Sequence, residues 1–275
     1  MDDILKDFSA RALTTAIETN LLKYYQYLSR SDNIELYDNP KLTRFFTGIP
    51  HPFMNGIFCK HLSSFDTIED PLNLLKSRKI SFLCWIGSAA QSADWETQLP
   101  AYGLVYDKNY ACMAADLQAL NEEFTVPANL TIEPVSDQEI LKHWVNSALI
   151  GFGLPSNSGN TCFNLFVDLG FDMPFRNYLG LIDGKPVATS QLFLAAGVAG
   201  IFWVTTIPAA RRQGIGMAMT LAPLREARAM GYRISVLHPS DMGRGVYRGL
   251  GFEDHGNLSH GIWFTKPNDE IDESI

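Results

Sequence analysis

Cysteine is scarce in this chain: four residues, at 59, 84, 112 and 162, stand 25, 28 and 50 positions apart with no Cys-x-x-Cys pair. That spacing argues against a zinc cluster or a disulfide framework, so the four are expected as small buried thiols, and no metal site is expected. Long apolar runs are lacking too. The longest uncharged one, Leu192 to Val204, is 13 residues and is broken by Gly197 and Gly200, short of the roughly 20 residues of a bilayer-spanning helix. No basic leader with an apolar stretch follows Met1; Asp2 and Asp3 stand there instead, so a cytoplasmic protein with no membrane partner is expected. With 46% hydrophobic and 19% charged residues, the 275 positions fit a globular chain of one large domain or two ordinary ones, not a disordered one.

Positive charge is also in deficit, 22 basic residues against 30 acidic, for a net −8. Four of the acids, Asp269, Glu270, Asp272 and Glu273, form a tail expected to be solvated and frayed. Residues 1–127 carry 11 basic and 16 acidic side chains, which leans towards a cationic acceptor. One segment reverses the balance. Between Arg211 and Arg248 stand seven arginines (211, 212, 225, 228, 233, 244 and 248) against Glu226 and Asp241 alone. Such a segment is expected to meet an anion. The acidic whole disfavours nucleic acid, which leaves a compact phosphate-bearing small molecule.

Periodicity from Leu5 to Leu28 predicts an opening amphipathic helix ending near 29–33, followed by a strand at Asn55–Leu62, a helix at Asp66–Ser77 and a strand at Lys79–Trp85. His51 and His61 are expected to be structural. Later come a strand at Leu130–Pro134, a helix from Asp137 to about Leu149 and another at 161–169. Strands at Tyr178–Ile182 and Pro186–Leu194 join through Asp183-Gly184, followed by a strand at Ile201–Thr206 and a helix to about Met230. The stretch 79–85 reads against 233–239, and 99–106 against 247–253, which predicts one supersecondary unit used twice. Two related halves follow, 1–127 and 128–275, with the turn-prone Asn121–Asn129 as boundary. Trp85 and Trp95 are expected in the first half's core or lining an acceptor cleft.

The strand ending at Thr206 feeds a turn rich in glycine and arginine that opens into a helix, and free N–H groups at such a helix start converge on an anion. No Gly-Lys-Ser/Thr follows, and Gly214-Ile215-Gly216 lacks the third glycine of a dinucleotide fingerprint. The run Arg211-Arg212-Gln213-Gly214-Ile215-Gly216, with Pro208 before it, resembles the Arg/Gln-x-x-Gly-x-Gly/Ala pyrophosphate loop of the GCN5-related N-acetyltransferases (GNAT superfamily). Leu237-His238-Pro239-Ser240 and Tyr247-Arg248-Gly249-Leu250-Gly251-Phe252 resemble that family's next strand and Tyr-x-x-x-Gly-Phe signature.

The resemblance implies an α/β (α+β) GNAT fold, a mixed central sheet flanked by helices, in two tandem GNAT-like halves: a catalytic 128–275 and a degenerate 1–127. It further implies that Val204, Thr205 and Thr206 meet the acetyl and pantetheine end of acetyl-CoA. Arg211, Arg212, Gln213, Gly214, Ile215, Gly216 and Met217 would hold the pyrophosphate, Ser240 would touch the cofactor arm, and Tyr247 would act as general acid. The implied activity is acetyl transfer from acetyl-CoA to a primary amine, on a small molecule or peptide; the alternative is a non-catalytic acyl-CoA sensor. Phe202–Thr206 lacks the glutamate that many members use as base, leaving a water relay, His238 or Asp183. Pro223 is expected to bend the helix after the loop. Between 47 and 79 no Arg-x-x-Gly-x-Gly occurs, so the first half is expected to bind no acetyl-CoA.

Overall fold

The structure is a computed structural model that describes residues 2–61, 65–90 and 94–265. Leu62 and the tail acids Asp269, Glu270, Asp272 and Glu273 lie outside them. The described residues divide into two compact units, an N-terminal unit of 25–111 with 257–265 and a C-terminal unit of 2–24 with 112–256.

The helix α1 (Ala10–Leu28) starts later than its periodicity predicts. Residues before it are used as a strap: Leu5 N–H donates to Gly197 O at 3.0 Å, and Asp2 accepts from Ala196 N–H and from the Lys23 ammonium. The N-terminal unit's sheet is built from β1 (Glu35–Asp38), β2 (Leu42–Phe46), β3 (Asn55–Cys59) and β4 (Phe82–Ile86). Helix α2 (Asp66–Ser77), with the bounds expected, links β3 to β4; α3 (Trp95–Ala101) follows β4 and leads into β5 (Val105–Asp116). Trp95 and Leu99 join Ile57, Leu72 and Phe82 in the core of this unit.

In the C-terminal unit, β6 (Leu130–Pro134) precedes α4 (Gln138–Gly151), whose start is fixed by the Asp137 carboxylate accepting from the N–H groups of Glu139 and Ile140, both at 2.9 Å. Helix α5 (Gly159–Leu169) leads into β7 (Phe175–Ile182) and β8 (Lys185–Ala195). Asp183 and Gly184 join these strands, both with positive φ, as a tight hairpin turn demands. A second such turn, Ala196-Gly197, joins β8 to β9 (Val198–Thr206). The strand expected from Ile201 thus begins earlier, at Val198, and the strap at Asp2 and Leu5 holds alanine in this strained turn. Then come α6 (Ile215–Ala229), β10 (Ile234–Leu237), α7 (Asp241–Leu250) and β11 (Glu253–Trp263). Pro223 lies inside α6 without ending it.

The repeat inferred from sequence is visible in the pairing. In the N-terminal unit β1/β2 and β2/β3 are antiparallel, β3/β4 parallel and β4/β11 antiparallel. In the C-terminal unit β7/β8 and β8/β9 are antiparallel, β9/β10 parallel and β10/β5 antiparallel. A helix links the third strand to the fourth in both. Each unit takes its last strand from the other stretch of sequence: β5 follows α3 in the chain yet pairs with β10, while β11 follows α7 yet pairs with β4. The compact units therefore do not divide at 127/128. Self-similarity in sequence reports the local strand-helix-strand order, whereas strand pairing is settled over long separations.

The parallel pairs differ. Strand β3 meets β4 over four residue pairs, Gly56↔Leu83 to Cys59↔Ile86. Strand β9 meets β10 over two, Ala199↔Ser235 and Gly200↔Val236. Among the described residues β9 is then unpaired on that side from Ile201 to Thr206, so the two strands part where β3 and β4 stay closed.

Candidate functional site

The parting of β9 from β10 lies next to a local irregularity in β9. Trp203 has φ +51°, and the β8/β9 register shifts between Thr189 and Gln191. A left-handed backbone at a bulky residue costs on the order of 1–2 kcal/mol. It is held by Thr189 Oγ1 donating to Trp203 O at 2.8 Å and by Trp203 Nε1 donating to the Tyr24 hydroxyl at 2.8 Å. This bulge breaks the in-out alternation, so that both Phe202 and Trp203 reach aromatic partners: Phe202 stacks on Tyr24, and Trp203 meets Trp144, Phe152 and Phe166. Val204, Thr205 and Thr206 follow, half-buried, at the open end of β9.

Beyond β9 a single 3-10 turn at Pro208–Ala210 leads into the loop. Arg212 has φ +63° and Gly214 φ +77°, and the two left-handed residues curl the chain into α6. Among the described residues, the backbone N–H groups of Arg212 to Met217 have no intrachain acceptor. Ile215 is buried and anchors the curl in the core, while Arg212 and Gln213 are exposed. The N-terminal end of α6 adds its dipole, favouring negative charge at the same place. Gly214 is required on two counts, its φ and a Cβ that would lie 2.2 Å from Thr125 O; at Gly216 a Cβ would meet only Val246 Cγ1, at 3.8 Å. Met217 lies half-buried against Gly249.

The seven arginines do not act together. Arg225 and Arg228 pair with Glu122, Arg233 with Asp116, and Arg244 and Arg248 with Asp254, all acids outside the 211–248 segment. The arginine partners hold Glu122, Asp116 and Asp254 below the usual carboxylate range. Arg211 donates from Nε to Thr206 O at 3.0 Å and from Nη2 to Gly151 O at 2.9 Å, tying the end of β9 to the end of α4. Arg212 alone of the seven has no ion-pair or hydrogen-bond partner among the described residues.

Tyr247 sits on α7 with its ring buried in the core, edge-on to Phe252. Gly243 makes room for it, since a Cβ there would lie 3.0 Å from Tyr247 Cε2. Its hydroxyl has no hydrogen-bond partner among the described residues, and burial pushes its pKa above the ordinary tyrosine value. Arg244 and Arg248, its neighbours on α7, are committed to Asp254. Ser240 caps α7, its Oγ accepting from Gly243 N–H at 3.2 Å. His238 Nδ1 lies 3.6 Å from Cys112 Sγ at the end of β10, and Asp183 accepts from Asn129 Nδ2 in the β7/β8 turn. The bulge at Trp203 and the ring of Phe152 went unread in the sequence, because nothing in the strand pattern marks a left-handed tryptophan.

Residues 195–254 match the family model of the acetyltransferase (GNAT) domain. No curated protein matches the chain by sequence. Among solved structures, a GCN5-related N-acetyltransferase from Kribbella flavida is similar at 20% identity, over 92% of this chain and 97% of that one, with a TM-score of 0.61. A GCN5-related N-acetyltransferase from Sphaerobacter thermophilus is similar at 13% identity over 84% and 83%, with a TM-score of 0.56. A tandem GNAT protein from the clavulanic acid biosynthesis pathway is similar at 13% identity over 97% and 99%, with a TM-score of 0.54. The domain match falls on β9, the loop, α6, β10 and α7, so residues 195–254 are similar to a GNAT acetyltransferase domain, and the chain has the fold of the GCN5-related N-acetyltransferases, in two like units as in the tandem protein.

Proposed function

We propose that the chain is a cytoplasmic N-acetyltransferase that moves an acetyl group from acetyl-CoA to a primary amine by direct attack on the thioester. The observation that carries this is the run of backbone N–H groups from Arg212 to Met217, without intrachain acceptors, beside the parted strands β9 and β10. A pyrophosphate fits that cradle by charge and by donor count. Val204, Thr205 and Thr206 would face the acyl end and Ser240 the arm, with Ser240 also serving as helix cap.

Acetyl-CoA supplies an activated acyl carbon: a C–N bond forms, the C–S bond breaks, and sulfur gains a proton to match the one the amine loses. Tyr247 presents a hydroxyl whose raised pKa keeps it protonated at neutral pH, so it donates a hydrogen bond or a proton to developing negative charge. Arg211 positions rather than binds: its two bonds hold the end of β9 against the end of α4. No carboxylate occurs on Phe202–Thr206, and this favours an amine that arrives uncharged. The same feature supports the second reading, an acyl-CoA sensor without turnover. The closed β3/β4 pair supports an N-terminal unit that binds no acetyl-CoA.

Thiol release on mixing the protein with acetyl-CoA and an amine separates the two readings, and calorimetry tests the cradle. Arg212→Ala weakens acetyl-CoA about tenfold, the size of one charge-assisted contact, and leaves stability unchanged. Arg211→Ala does the reverse first: it destabilises the fold by about 1–3 kcal/mol by leaving two carbonyls without donors. Equal acetyl-CoA affinity in wild type and Arg212→Ala removes that arginine from the site.

A further inference from the structure

We infer that the acceptor amine carries an aromatic ring, seated against Phe152 and Trp203; this rests on the acetyl-transfer reading above. Phe152 caps the end of α4, and its ring stands edge-on to the Trp203 indole, 5.4 Å between centroids at 89°. Both residues are half-buried, neither being closed off from solvent. Their position relative to the acyl end is fixed by close packing. A Cβ on Gly151, the residue before Phe152, would lie 2.4 Å from Thr205 Oγ1, and Arg211 bridges Gly151 O to Thr206 O. The corner made by the two rings therefore adjoins the segment Val204–Thr206.

Its chemistry is all π surface. The one polar atom of Trp203 is spent on the Tyr24 hydroxyl at 2.8 Å, and Phe152 has none. Two rings at right angles let a third ring lie flat on one while meeting the edge of the other, the arrangement that aromatic quadrupoles favour. A polyamine or a hydroxylated amine finds no donor, acceptor or carboxylate on these two side chains. The strained backbone of Trp203 is what turns the indole to this face, the kind of outlier that marks a working position.

The experiment uses the full chain with acetyl-CoA and four amines: 2-phenylethylamine and tryptamine against hexylamine and spermidine. The expected result is thiol release with the aromatic amines at kcat/KM about tenfold or more above the others, the size of one ring-on-ring contact. Phe152→Ala and the volume-keeping Phe152→Leu should both raise KM for the aromatic amines with acetyl-CoA affinity unchanged by calorimetry. Intact acetyl-CoA binding with equal or better use of hexylamine or spermidine overturns the inference and leaves the acetyl-CoA reading standing. So does turnover of no aromatic amine, or an aromatic-amine KM that neither variant moves. Absence of acetyl-CoA binding in the wild type ends both.

Discussion

Tyr247 and Gly214 show how one side chain, or its absence, sets what the site can do. Burial raises the tyrosine pKa, so its hydroxyl stays protonated up to at least about pH 10, the unperturbed value. Wild-type kcat should show no alkaline loss from this group below about pH 10. Tyr247→Phe should lower kcat by roughly 10²-fold, the range for removing a general acid, with acetyl-CoA affinity unchanged. Equal kcat at saturating acetyl-CoA, with chemistry rate-limiting, would make the residue a packing element. The glycines of the loop separate in the same way. Gly214→Ala meets both a left-handed φ and Thr125 O, and should cost at least about 1–2 kcal/mol in urea denaturation, while Gly216→Ala should be near neutral. A charged group placed at Gly214 therefore reports on folding as much as on phosphate, and Arg212 is the cleaner probe.

Among the elements, those fixed by local chemistry were legible in the sequence. The bounds of α2 and β6, the Asp183-Gly184 turn and the strand-loop-helix around Gly214 stand where composition and spacing put them. What depended on distant partners was not. The five arginines after 212 looked like an anion site because Glu122, Asp116 and Asp254 lie outside the window that contains them. The opening helix lost Leu5 because that residue's N–H is taken by the Ala196-Gly197 turn. His51 was read as structural, and its surroundings support that, for it caps the 3-10 turn Pro52–Met54; His260 of β11, which the sequence did not single out, lies against Trp85 and Tyr110. Burial lowers both to about 4, against Asp107 in the case of His260. The unfolded chain then binds more protons between about pH 6.5 and 4, so stability is full above about pH 6.5 and falls as pH drops through that window. Each histidine contributes a slope of up to about 1.4 kcal/mol per pH unit. Urea midpoints at pH 7 and pH 5 check this, and His260→Phe should shrink the difference between them; an unchanged difference would clear that histidine.

At the scale of the molecule, the exchanged strands decide what can be cut. Division at 127/128 separates β10 from β5 and β4 from β11. Fragments 1–127 and 128–275 made apart should each lack a cooperative urea transition, and mixing them should restore it. Two independent transitions matching those of the intact chain would mean that the exchange contributes little. Truncation after Gly256 is a gentler cut, for it leaves the pairs among β6 to β10 and β5/β10 in place and removes the β11 residues that pair with β4. The exchange also bears on synthesis. Ribosomes deliver the N-terminal unit's first four strands before the C-terminal unit's, but the strand that seals their edge emerges only after every residue of the cradle has been made. The half that comes out first is the half that must wait, exposed at β4, until the other half has been made.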